Sequence, residues 1–216
     1  MRITIREPGS AITHFVGMVM AGLAAVPLMA KAGLSGSLAA VNAMMIFMGS
    51  MVLLYGASAL YHSVVVPERV LRVFRKLDHM MIFVLIAGSY TPVCMIVLGG
   101  SSGYTLLAAV WGIAAVGMLI KALWINCPKW FSSIIYIAMG WVCVFVFGQL
   151  FETLTSAAFA WLFAGGVIYT VGGVIYALKL PIFNSRHENF GSHEIFHLFV
   201  MAGSICHFIF MYLYVL

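Results

Sequence analysis

Polar and apolar positions segregate along this chain in long blocks. Seven apolar runs, at about 12–30, 39–63, 78–98, 104–124, 131–150, 157–179 and 193–214, are divided by short polar stretches. A helix needs about 20 apolar residues to cross the hydrocarbon core of a bilayer, and each run is of that order. The runs are continuous and do not alternate with period two, which argues against a membrane β-barrel. The pattern predicts an all-α polytopic membrane protein with seven transmembrane helices. The short connections leave no room for a second domain, so residues 1–216 are expected to form one seven-helix domain.

Composition agrees. Hydrophobic residues make up 64% of the chain and charged residues 8%, against roughly 25% charged in an average soluble domain. The N-terminal stretch MRITIREPGSAITHF carries charges and a Pro-Gly turn before the first apolar run. It has no short apolar core closed by a small-residue cleavage site, so no secretory signal is expected. The four cysteines (Cys94, Cys127, Cys143 and Cys206) form no CxxC pair and are expected as free thiols packed as small hydrophobes.

The basic residues predict an orientation. Arg2, Arg6, Arg69, Arg72, Arg75, Lys76, Lys121, Lys129, Lys179 and Arg186 all fall on one side of a seven-span topology, and only Lys31 falls on the other. Positive residues are retained in the cytoplasm. The N-terminus is therefore expected inside and the C-terminus outside, in a multi-pass protein of the cell (plasma or inner) membrane. The net charge of +5 is thus a topology signal and not a nucleic-acid footprint.

Two local patterns stand out. In PERVLRVFRK, Val70, Leu71, Val73 and Phe74 cluster on one helical face, with Arg69, Arg72 and Lys76 on the other. That is the pattern of a short helix lying in the interface against anionic headgroups; a plain basic loop is the alternative. GGVIY occurs twice, at 165–169 and 172–176. Glycines seven apart form a stripe that lets another helix approach closely; a groove lined by Tyr169 and Tyr176 is the second reading.

Ionisable residues inside membrane helices are costly, and each is a functional candidate. In the predicted topology His62 ends the second span, Asp78 and His79 open the third, and His193 and His197 open the seventh, all at one membrane depth. Ser58 lies one turn before His62 on the same face. His193 and His197, at i and i+4, share a helix face. Three imidazoles with a carboxylate nearby are the donor set of a catalytic zinc site with one open position, where bound water is acidified. Asp78 is the candidate to orient that water or take its proton, with Ser58 to hydrogen-bond the water or steady a ligand.

HEIFH (193–197) also matches H-E-x-x-H, the pattern of a zinc protease helix. Against that reading, Ser192 resembles an N-cap, and an acid such as Glu194 is favoured in a first helical turn for its interaction with the helix dipole. Of the other histidines, His79 is turned about 100° from Asp78 and is expected to face elsewhere. His187 lies in the loop before the last span and His14 near the start of the first, as a supporting residue. His207, about 15 Å along the helix from His197, is expected as a packed core histidine.

SALYHS (58–63), LDHMMIFVLIAGSYTP (77–92), AMGW (138–141) and HEIFHLFVMAGSICHF (193–208) resemble the hemolysin III family. That is the bacterial branch of the progestin and adipoQ receptor group, which includes the adiponectin receptors. The resemblance covers nearly the whole chain, with the motifs in order. It implies seven helices, a cytoplasmic N-terminus and a zinc ion near the cytoplasmic face. It also implies that His62, His193 and His197 bind the ion, with Asp78 and Ser58 at the matching accessory positions. The family's last motif is H-x-x-x-H, so the acid at 194 is not demanded and HEIFH is read as a coincidental H-E-x-x-H. Members of the group resemble alkaline ceramidases, and the receptors are associated with ceramide hydrolysis; the name hemolysin reflects a cytolytic phenotype of some bacterial members. This chain lacks the long cytoplasmic segment of the receptors, so hormone binding is not implied.

The leading expectation is a Zn2+-dependent hydrolase of a membrane lipid amide or ester. The alternatives are a non-enzymatic sensor or regulator of membrane state with structural zinc, a cytolysin, and an intramembrane protease using Glu194. The expected partners are a membrane lipid and the bilayer itself, with no nucleic acid and no protein partner.

Overall fold

The computed structural model describes residues 5–178 and 190–216. Arg2, Lys179, Arg186 and His187, on which some expectations fell, lie outside them. The described residues form eight α-helices and no strand: α1 (Pro8–Leu34), α2 (Leu38–Ser63), α3 (Glu68–Pro92), α4 (Gly100–Leu123), α5 (Lys129–Gly140), α6 (Phe147–Thr153), α7 (Ser156–Leu178) and α8 (Ser192–Phe210). The helix pair α5–α6 makes one span, so seven spans of sufficient length and apolarity cross the membrane, as the pattern predicts.

Local chemistry accounts for the ends. Pro8 supplies the first-turn φ of α1. Ser37 caps α2 by accepting from the Ala40 N–H at 3.2 Å. Gly99 and Gly100, at φ 56° and 53°, make the sharp reversal between the third and fourth spans. After Pro92 removes a backbone donor, the chain widens into a π-type turn over Val93–Leu98.

Three boundaries differ from expectation. PERVLRVFRK is neither a separate interfacial helix nor a loop: it forms the first turns of α3, which begins at Glu68 and carries Asp78 well inside it. The fifth span is not one helix. It breaks after Gly140 into tighter turns over Val142–Val146 and resumes as α6. At the break the Tyr90 hydroxyl donates to the Gly140 carbonyl at 2.6 Å and accepts from the Cys143 N–H at 2.9 Å. A side chain thus satisfies backbone groups that water cannot reach in a bilayer. Gly191, not Ser192, is the N-cap of α8, and Ser192 is its first residue.

In the bundle α1 packs on α2 and α8, α2 on α3, α3 on α4, and α7 on α8; α5 leans chiefly on α7. The duplicated glycines explain part of this. A Cβ on Gly165 would strike the His207 ring and one on Gly172 would meet the Phe199 Cβ at 2.7 Å, both on α8. Gly173 faces Ile137 of α5. The two GGVIY copies therefore seat α7 against both neighbours, the packing role read from their spacing. The four cysteines are free.

Candidate metal centre

The starts of α1, α3 and α8 and the end of α2 meet at one end of the bundle. There His62, His193 and His197 each offer a ring nitrogen, and these nitrogens all lie within 4.8 Å of one another. His62 and His197 are each only 2% exposed. The Nε2 atoms of His62 and His193 face each other at 3.2 Å. The ring centroids of His193 and His197 are 4.5 Å apart, and those of His62 and His197 5.3 Å. Backbone periodicity brings two of the three together on α8. The antiparallel return of α2 delivers the third.

The outer edges of two rings are held by α1. The Glu7 carboxylate accepts a short hydrogen bond from His62 Nδ1. That bond holds the Glu7 carboxyl below the usual carboxylate range, against the opposing effect of its partial burial. Thr13 Oγ1 lies 3.1 Å from His197 Nδ1 and also contacts the carbonyls of Gly9 and Ser10 at 3.0 and 2.9 Å. His14 stacks on His197 with ring centroids 3.6 Å apart and planes 7° from parallel. Both His14 nitrogens, the Ser58 hydroxyl and His193 Nδ1 are buried with no hydrogen-bond partner.

A cavity of about 120 Å³ opens on the cluster. His193, His197, His14 and Asp78 line its polar end. It runs between α3, α5, α7 and α8 past Ile82, Ile86, Ile137 and Val200 to Tyr90, Gly140 and His207. A second void of about 60 Å³ shares the wall residues Ser89, Tyr90, Gly140, Trp141, Gly166 and His207, and is otherwise lined mainly by apolar side chains.

The structure thus brings together His62, His193 and His197 and places Asp78 on the wall of the adjoining cavity. Ser58 is fully buried one turn from His62. His79 does not face elsewhere: it lines the same cavity, with Nδ1 2.8 Å from the Arg75 carbonyl and 3.5 Å from the Asp78 carboxylate. Glu194 turns away from the cluster. Its Oε2 accepts from the Gly191 N–H at 2.8 Å, and its Oε1 accepts a short hydrogen bond from Ser10. This is the first-turn role expected for it. His207 is buried, with Nε2 3.3 Å from the Leu162 carbonyl.

Sequence reasoning missed Glu7, Ser10 and Thr13. Glu7, Ser10 and His14 follow at helical spacing, with Thr13 beside them, which groups them on α1 but does not say what they meet.

A seven-span membrane protein with three converging imidazoles, two buried and one half-buried, beside an apolar cavity is the class defined by this fold and site. The comparisons make it specific. A family model described as "Haemolysin-III related" matches residues 3–208. The chain is 38% identical to "Hemolysin-3" of Bacillus cereus over 97% of its own length and 92% of that protein. It is 36% identical to "Hemolysin-3 homolog" of Bacillus subtilis (strain 168) over 95% and 92%. More distantly, 63% of the chain is 26% identical to 34% of "Adiponectin receptor protein" of Drosophila melanogaster. The chain belongs to the haemolysin-III-related family and is a multi-pass cell-membrane protein.

Proposed function

We propose that this protein is a zinc-dependent hydrolase of a membrane lipid amide or ester, with its site at the cytoplasmic end of the bundle. The observation that carries the reading is the convergence of three imidazole nitrogens on one point at the mouth of an apolar cavity.

The donor set fits zinc. His62 donates Nδ1–H to Glu7, which leaves Nε2 as a bare lone pair 3.2 Å from His193 Nε2. Nitrogens bound to one tetrahedral zinc at about 2.0–2.1 Å lie about 3.3 Å apart. Three neutral imidazoles favour zinc over hard cations. His62, His193 and His197 would hold the ion. Bound there, zinc supplies Lewis acidity toward a carbonyl and lowers the pKa of water.

The chain's own residues divide the remaining work. The cavity accepts the lipid tail between α3, α5, α7 and α8, and its apolar walls exclude bulk water from the reacting group. Asp78 takes a proton at a carboxylate oxygen as water adds to the carbonyl. It returns that proton to the leaving nitrogen or oxygen as the C–N or C–O bond breaks. His79, 3.5 Å from that carboxylate, helps fix its orientation. Among the described residues, Arg6, Arg69, Arg72, Arg75, Lys76, Lys121 and Lys129 belong to the site end and Lys31 to the opposite end, which supports a cytoplasmic site. A purely structural ion needs no adjoining cavity, and a pore needs a polar path through the bundle, so neither accounts as well for the void beside the histidines.

The test is hydrolysis of defined N-acyl lipids and lipid esters by purified protein in bilayers. Release of free fatty acid that is abolished by chelation and by His62→Ala supports the reading. Absence of turnover across both lipid classes by zinc-loaded protein would leave the ion in a structural or regulatory role.

A further inference from the structure

We infer that the first turns of α1 are a positioning device for the metal centre: Glu7 and Thr13 fix the tautomer and ring orientation of His62 and His197. The inference rests on the zinc reading above and extends it from the three ligands to the residues that orient them.

Glu7 is the N-cap residue of α1, yet its side chain caps nothing there. Its carboxylate instead reaches His62 Nδ1. The backbone holds it in that place: the Glu7 N–H donates to the His62 carbonyl at 3.0 Å, and the Arg6 N–H to the Ser63 carbonyl at 3.5 Å. These bonds satisfy carbonyls left open at the end of α2. Arg6 lies 4.2 Å from the Tyr61 ring centroid and 3.4 Å from Glu7, which braces the segment further.

Thr13 completes the pattern on the second ring. A hydroxyl has one proton, and the Thr13 proton is directed at the Gly9 and Ser10 carbonyls. With that proton on a carbonyl, Thr13 Oγ1 accepts from His197 Nδ1, which leaves Nε2 as the nitrogen of His197 free to bind an ion. Ser10 ties the same turn of α1 to Glu194 at the start of α8. One helix start thus bridges the two elements that carry all three histidines. Neither Glu7 nor Thr13 is placed as a metal ligand, because each meets the outer nitrogen of its ring. Outer partners of this kind orient a ligating histidine and raise its basicity, and their loss typically weakens metal binding by about 10–100-fold.

The experiment is zinc affinity by competition with a chromophoric chelator for the native protein, Glu7→Ala, Glu7→Gln and Thr13→Val in nanodiscs, together with the visible spectrum of each cobalt(II)-loaded form. Glu7→Ala and Thr13→Val should each weaken zinc by about 10–100-fold and shift the cobalt bands. Glu7→Gln retains an acceptor oxygen without the charge and should fall between native and Glu7→Ala. Melting of the metal-free proteins separates positioning from packing: a purely structural role lowers that temperature and leaves affinity and cobalt spectrum unchanged, which would overturn the inference. Affinities within about twofold of native for both Glu7→Ala and Thr13→Val, far below the expected loss, would overturn it too and leave the zinc reading standing. A native protein that binds no zinc removes both. Glu7→Gln keeps the question decidable if Glu7→Ala does not fold.

Discussion

His62 and His193 are 131 positions apart in the chain, yet their Nε2 atoms face each other at 3.2 Å. With the Nδ1 proton of His62 directed at Glu7, its Nε2 is the nitrogen left to meet the second imidazole. At that separation the two nitrogens can share a proton or hold a cation, since nitrogens bound to one zinc lie about 3.3 Å apart.

Asp78 lines the cavity beside the histidines and is not one of the three converging ligands. Asp78→Asn should therefore keep the metal while losing turnover, by about 10²–10⁴-fold if the carboxylate acts as general base and acid. Metal content and single-turnover hydrolysis of the same preparation check this. Full activity with metal present would remove Asp78 from the proton transfers.

Tyr90 bridges the break in the fifth span. Tyr90→Phe leaves the Gly140 carbonyl and the Cys143 N–H without that partner, and an unsatisfied buried polar group costs about 1–3 kcal/mol. A clear fall in melting temperature is expected, larger than for Thr170→Val, which removes only the 2.9 Å acceptor of the Trp141 indole and a local backbone bond. Equal effects would mean that the break is held by packing alone.

The α7–α8 seam gives a steric prediction. Gly165→Ala drives a methyl group into the His207 ring, whereas a Cβ on Gly112 meets nothing within 4 Å. Overpacking of this kind costs about 1–3 kcal/mol, while Gly→Ala in an open helical position stabilises by up to about 1 kcal/mol. Thermal unfolding of the two variants in one detergent should move in opposite directions.

Much of this was legible in the chain. Continuous apolar runs report helical spans directly, because lipid exposes every unsatisfied backbone group. His62, His193 and His197 could be placed at one depth once the spans were counted. The start of α3 was misplaced by ten residues, because an interfacial amphipathic helix and the first turns of a spanning helix present the same pattern of Arg and Val positions. The break after Gly140 carries no proline, and the group that bonds its open backbone is a hydroxyl on another helix. Glu7 escaped notice because a lone acid beside Arg6 in a charged leader looks like solvated surface. Its role depends on where α2 ends in space, and no spacing within α1 encodes that.

The most direct test is the metal content of purified protein by elemental analysis, after preparation without chelators, in native chain and in His62→Ala. The predicted result is about one zinc per native chain and essentially none in the variant, because the ion would bridge the end of α2 and the start of α8. A well-folded native protein with no bound metal would contradict the account, and the facing imidazoles of His62 and His193 would then have to be a hydrogen-bonded pair.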